Sequence, residues 1–151
     1  MNQNERIDGE YKQLESEIYN YFLKNNKILG SIIIGSRAFS YSEHSELSDL
    51  DILFYTSHPT YFLNNLEWIN EIRKVKASHT ITIDGLPILK IEFIDGLKAD
   101  FGIYLYDRKG LMEQLNKHSF FIHFNTYFGS NKRLFLDKEG ILTKIFKLLK
   151  S

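Results

Sequence analysis

Apolar residues recur at spacings of three and four along the first part of the chain, at Ile7, Tyr11, Leu14, Ile18 and Phe22. That period puts one stripe of side chains on a single side of a helix, so it predicts an amphipathic helix that ends near Lys24-Asn25-Asn26 and serves packing alone. The pattern then changes. Ile28 to Ile34 is a nearly unbroken apolar run, as a buried strand requires, and it stops at Gly35. Residues 38–48 are polar and read as a loop. Asp51 to Tyr55 reads as a second strand, Thr60 to Val75 as a helix with Leu63, Leu66, Ile69 and Ile72 on one side, and His79 to Ile83 as a short strand before a turn at Asp84-Gly85. Leu89 to Ile94 and Ala99 to Leu105 alternate apolar and polar residues around Asp95-Gly96, a hairpin pattern. Arg108 to Lys117 reads as a short helix and Arg133 to Leu136 as a last extended segment. Lys138-Glu139-Gly140 breaks the chain before an apolar helix through Ile145 and Leu149. Strands interleaved with helices predict an α/β (α+β) domain built on a mixed β-sheet flanked by helices.

Two points where this pattern is interrupted carry chemistry. Gly35-Ser36-Arg37 follows the first apolar run, and a turn of small residues lets backbone N–H groups and a hydroxyl approach phosphate. Asp49-Leu50-Asp51 opens the second strand, and because side chains alternate, both carboxylates share a face while Leu50 turns to the core. Two aligned carboxylates suit Mg²⁺, a hard cation that takes oxygen ligands and acts with nucleotide phosphates. Asp100, between Ala99 and Phe101 on a later strand, fits by itself an acid on the polar face of an alternating strand. Arg37 is either a phosphate clamp or a surface arginine paired with Glu43 or Glu46. Glu92 and Asp95 lie near Asp100 and fit a polar face and a turn better than a general base.

Gly35-Ser36, twelve intervening residues, then Asp49-Leu50-Asp51, with Lys98-Ala99-Asp100-Phe101-Gly102-Ile103 further on, resembles the polymerase-beta-type nucleotidyltransferase superfamily. Within it, Gly35-Ser36-Arg37-Ala38, the Asp49 strand, Trp68-Ile69 and Lys98-Ala99-Asp100 are most similar to the catalytic domain of aminoglycoside (streptomycin) adenylyltransferases, from about Ile28 to about Leu142. The resemblance implies a nucleotidyltransferase fold with Asp49, Asp51 and Asp100 as the catalytic set, holding two Mg²⁺ ions. It implies nucleotide binding by Gly35, Ser36 and Arg37, and transfer of AMP from ATP to a hydroxyl of a small, aminoglycoside-like acceptor, as in antibiotic resistance. Those enzymes carry a further helical domain that helps form the acceptor pocket and supplies a base. This chain reaches Ser151 inside what reads as the first helix after the catalytic domain, so one nucleotidyltransferase domain over residues 1–151 is expected, without the helical one. The rival reading is a minimal nucleotidyltransferase antitoxin, or a degenerate nucleotide-binding module, working with a helical protein partner.

Composition narrows the choice. A chain of 151 residues with 43% hydrophobic content is long enough for one domain with a sizeable core. Lys+Arg and Asp+Glu each total 19, so no global basic field draws in nucleic acid and no polybasic segment points to a membrane. No apolar run approaches a membrane span or a signal-peptide core. The absence of cysteine excludes disulfides and thiol nucleophiles and fits a reducing cytoplasm. The five histidines, at 44, 58, 79, 118 and 123, lack metal-ligand spacing. The aromatic run Phe120, Phe121, Phe124, Tyr127 and Phe128 reads as core. With Ile141, Ile145 and Leu149 it is expected to leave an apolar patch that a homodimer or a helical partner covers.

Overall fold

The computed structural model describes residues 3–38, 49–83, 85–104 and 132–149, with residues 109 and 113 between them. Helix α1 (Gln3–Lys24) follows the apolar spacing, and Tyr11, Leu14, Ile18 and Phe22 are all buried. Asn25 ends it: its side-chain oxygen accepts the N–H of Lys27 at 2.9 Å and its carbonyl accepts the N–H of Ile28 at 3.1 Å. The chain turns there into β1 (Ile28–Ile34), which runs into a single 3₁₀ turn, Gly35–Arg37. Then follow β2 (Leu50–Thr56), α2 (Pro59–Asn64), α3 (Glu67–Ile72), β3 (Val75–Ile83), β4 (Leu86–Phe93), β5 (Lys98–Tyr104), β6 (Lys132–Asp137) and α4 (Ile141–Leu149).

The strands form one six-stranded sheet in the order β3-β4-β5-β2-β1-β6. Neighbours are antiparallel except β2 and β5, which run parallel in the middle. Parallel strands need a long crossover, supplied here by α2, α3 and the β3–β4 hairpin, which return the chain so that β5 lies beside β2. The mixed sheet flanked by helices is the α/β architecture expected from the sequence. One face carries Ile33, Ile52, Phe54, Leu89, Phe93 and Phe101 against α1, α2 and α3. There Phe54 meets the rings of Phe22, Phe62 and Trp68 at centroid distances of 5.2, 5.1 and 5.7 Å, a set of tilted and edge-on aromatic pairs. On the opposite face Ile32, Leu53, Tyr55 and Leu86 cluster with Ile141, Leu142 and Ile145 of α4.

Several expectations change. The helix expected over Thr60 to Val75 is two short helices, because Asn65 is extended (φ −143°, ψ 117°) and its side chain accepts the N–H of Glu67 at 2.9 Å, starting α3 afresh. Trp68 then donates its indole N–H to the carbonyl of Phe62 at 3.1 Å, folding α3 back on α2. The short strand expected at 79–83 begins at Val75; it is an edge strand exposed along most of its length, so apolar periodicity does not mark it. The Asp95-Gly96 hairpin is present, with Gly96 at φ 92° and the N–H of Phe93 donating to Leu97 at 2.9 Å. Ile141 and Ile145 are buried on this chain's own sheet, which removes α4 as a reason for a homodimer. The aromatic run 120–128, most of the expected helix 108–117 and residues 39–48 of the polar loop lie outside the described residues. No described helix is long and apolar enough to cross a membrane.

The aromatic cluster around Phe54 is expected to hold the sheet to its helical layer. Phe54→Ala is expected to lower unfolding stability by about 3–5 kcal/mol in urea melts, and a loss below about 1 kcal/mol would show that this cluster is not the core.

Candidate active site

The parallel register of β2 and β5 sets Asp51 directly opposite Asp100. Side chains of opposed residues leave a sheet on the same face, so the two carboxylates abut, an unfavourable pairing for like charges. Burial, then the charge and hydrogen bond of Asp100, then the charge of Asp49, push the Asp51 carboxyl up to about 7. Asp49 lies just before β2, and burial followed by repulsion from Asp100 raises it as well. On the other side of Asp100 stands Lys90 of β4, its direct partner in the antiparallel register, with Nζ 2.7 Å from Oδ2. The hydrogen bond to Asp100 raises the Lys90 ammonium above its ordinary value. One level of the sheet therefore reads Lys90, Asp100, Asp51 across three strands, and continues through Ile34 on β1 to Lys132 on β6.

Gly35 touches this row. Its φ is +78°, in the left-handed region that favours glycine, and a Cβ built on it would stand 2.8 Å from Oδ2 of Asp51. The Asp51 carboxylate thus takes the space that a side chain at this turn would fill, which brings together the two halves of the motif. The backbone of Ser36 lies in the same turn.

Arg37 is not the surface residue offered as one alternative. Its side chain is fully buried, with the guanidinium 3.7 Å from the centre of the Tyr11 ring and Nη1 3.4 Å from Oδ1 of Asp8. Arg133 of β6 donates to the carbonyl of Ala38 and is itself held by Glu15 at 2.8 Å. Helix α1, expected to serve packing alone, therefore anchors the Gly35–Ala38 turn through Asp8, Tyr11 and Glu15. The signal was present in the sequence: at spacings of three and four, Asp8 and Glu15 flank Tyr11 on the apolar side of the helix, where acids need a partner. Asp95 behaves as a turn residue, accepting the N–H of Leu97 at 3.1 Å and pairing with Arg73 at 2.7 Å, and Glu92 lies 3.6 Å from Lys76.

Among the described residues no group of three His, Cys, Asp or Glu side chains is placed to hold a metal ion. Asp49, Asp51 and Asp100 nonetheless fit a hard divalent cation in their chemistry. All their donors are oxygens, and of the causes that raise Asp51, burial first and repulsion from Asp100 and Asp49 after it, the repulsion is what a cation would relieve.

No protein-family model and no curated protein matches the chain. Solved structures share part of its shape. An aminoglycoside 6-adenyltransferase from Bacillus subtilis aligns over 67% of this chain and 36% of its own, at 16% identity and a TM-score of 0.47. The Cid1 poly(U) polymerase aligns over 74% and 35%, at 15% identity and a TM-score of 0.45. Terminal uridylyl transferase 4 from Trypanosoma brucei aligns over 95% and 53%, at 12% identity and a TM-score of 0.33. By name these are an adenyltransferase, a poly(U) polymerase and a uridylyl transferase. The chain spans between about a third and a half of their lengths. At these scores the likeness carries no argument about activity or substrate, and what the site can do follows from its own geometry.

Two outcomes are expected. Arg37→Ala is expected to destabilise the ligand-free protein by about 2 kcal/mol or more, because it leaves Asp8 without its guanidinium in a largely buried setting. Unchanged chemical denaturation with weaker nucleotide binding would instead make Arg37 a phosphate clamp. The second concerns pH. Asp51 ionises near 4 in an unfolded chain and at about 7 in the fold, so its ionisation destabilises the metal-free protein increasingly between those values and fully above the higher one. Asp51→Asn is therefore expected to be more stable than the parent above pH 7, with the gain fading towards pH 4. A difference that does not vary with pH would contradict the crowding of the two carboxylates.

Proposed function

We propose that this chain is a Mg²⁺-dependent nucleotidyltransferase that transfers AMP from ATP to a hydroxyl of a small, aminoglycoside-like acceptor. The observation that carries the reading is the position of Asp51, opposite Asp100 and in the space a side chain at Gly35 would fill. Asp49, Asp51 and Asp100 would hold the two cations. Bound there, Mg²⁺ neutralises phosphate charge and lowers the pKa of an attacking hydroxyl. Gly35 lets the backbone N–H groups of the turn approach the phosphates without a side chain in the way. Ser36 is assigned to phosphate binding by its place in the Gly35-Ser36-Arg37 motif. Arg37, buried against α1, serves nucleotide binding by fixing the turn's shape. The acceptor oxygen bonds to the α-phosphorus as the bond to pyrophosphate breaks, so the site has only to align the two and bear the charge. The equal totals of 19 basic and 19 acidic residues give no field for a long polyanion, which favours a small acceptor over a polynucleotide.

Thermal shift and pyrophosphate release test the reading together. Asp49→Asn and Asp51→Asn are each expected to abolish stabilisation by MgATP. Asp100→Ala is expected to cut acceptor-dependent pyrophosphate release by orders of magnitude while changing nucleotide affinity less, and Asp95→Ala to do little. A double Asn variant stabilised by MgATP as strongly as the parent would refute the metal assignment, and equal losses at Asp95 and Asp100 would refute the role of Asp100. Transfer of AMP to a co-expressed helical protein, with no turnover of aminoglycosides, would replace the small acceptor with a protein one.

A further inference from the structure

We propose that Lys90 is a positioning residue that acts as a resident counter-cation on Asp100, so that a divalent cation engages Asp100 only by displacing the Lys90 ammonium. This rests on the nucleotidyltransferase reading for the identity of the incoming cation. Lys90 and Asp100 are direct cross-strand partners, and Nζ lies 2.7 Å from Oδ2. The pair is sheltered: the side chains are 34% and 17% exposed, so the contact is screened less than a surface ion pair. Three carboxylates crowd this part of the sheet, and Asp100 is the one with a charge-assisted hydrogen bond to an ammonium. Glu92, next along the same face of β4, is paired with Lys76, and Lys98, next along β5, is exposed.

The consequence is competition. Until a cation arrives, Lys90 holds Asp100 in one orientation and offsets part of the repulsion from Asp51. A divalent ion on the same carboxylate meets a like charge at close range, so its binding is weakened until the ammonium swings away along its flexible stem. Loading at Asp100 is thereby weaker than the carboxylates alone would make it, and removing the ammonium strengthens it.

Mn²⁺ binding to the intact chain, followed by electron paramagnetic resonance of the free ion, reads this without any turnover. Lys90→Met is expected to tighten Mn²⁺ binding about tenfold, equivalent to ~1.4 kcal/mol. Lys90→Arg, which keeps the cation, is expected to stay within about threefold of the parent, and Lys98→Met, which removes a nearby charge that does not touch Asp100, to change affinity less than Lys90→Met. Lys90→Gln serves in place of Lys90→Met if the methionine variant does not fold. Unchanged or weaker Mn²⁺ binding without the lysine overturns the inference and leaves the transferase reading standing. Equal tightening in Lys98→Met also overturns it, because net charge would then explain the effect. No Mn²⁺ uptake by the parent or by Lys90→Met removes the transferase reading and this inference together.

Discussion

Two carboxylates held side by side on a parallel strand pair are the constraint around which this molecule is organised. Left alone, Asp51 and Asp100 would drive their strands apart or out of register. They are held by the residues that alternate with them. Leu50, Ile52 and Phe54 on β2, and Ala99, Phe101 and Ile103 on β5, all belong to the apolar layer beneath α1, α2 and α3. Slipping either strand by one residue would send an aromatic ring to the acidic face and a carboxylate into that layer. The next rung reinforces the register, since Leu53 lies opposite Gly102 and fills the space that a side chain there would take. The core therefore stabilises a concentration of charge that it does not itself contain.

The turn after β1 is fixed by a different means. Gly35 must be close enough to Asp51 for backbone N–H groups and carboxylate to address one ligand, and a short 3₁₀ turn has few hydrogen bonds of its own. Its position is set by two arginines: Arg37 reaches into α1 between Tyr11 and Asp8, and Arg133 ties the carbonyl of Ala38 to Glu15. A helix whose apolar stripe packs on the sheet thus also carries the polar contacts that hold the Gly35–Ala38 turn beside Asp51. Rigid elements bearing short functional segments are the usual way to keep such geometry within tolerance.

How far the sequence revealed this depended on whether the information was local. The Ile28 to Ile34 run, its stop at Gly35 and the alternation around Asp51 and Asp100 are local patterns, and β1, β2 and β5 lie where they indicated. The abutment of Asp51 and Asp100 depends on a parallel register between strands 49 residues apart, which periodicity cannot carry. Lys90 looked like any polar residue of an alternating strand, because its meaning arises only when β4 is laid against β5. Nearness in sequence offers Glu43 or Glu46 as partners for Arg37, whereas its environment is made by a helix that begins some thirty residues earlier. The break at Asn65 turns on one side-chain contact inside an otherwise continuous apolar stripe, and the first residues of β3, 75–78, carry no signal because an edge strand exposed along most of its length has no periodic burial to display.

Asp51 and Asp100 crowd one another in the metal-free sheet, and a bound cation is expected to relieve them. Carboxyl ¹³C resonances of the aspartates, followed by NMR through a pH titration with and without Mg²⁺, are the decisive measurement. In metal-free protein Asp51 is expected still to gain and lose its proton near neutral pH, and Mg²⁺ or the Asp100→Asn change to bring it towards the ordinary carboxylate range. An Asp51 that titrates near 4 in the absence of metal, unmoved by Mg²⁺ and by Asp100→Asn, would contradict that crowding.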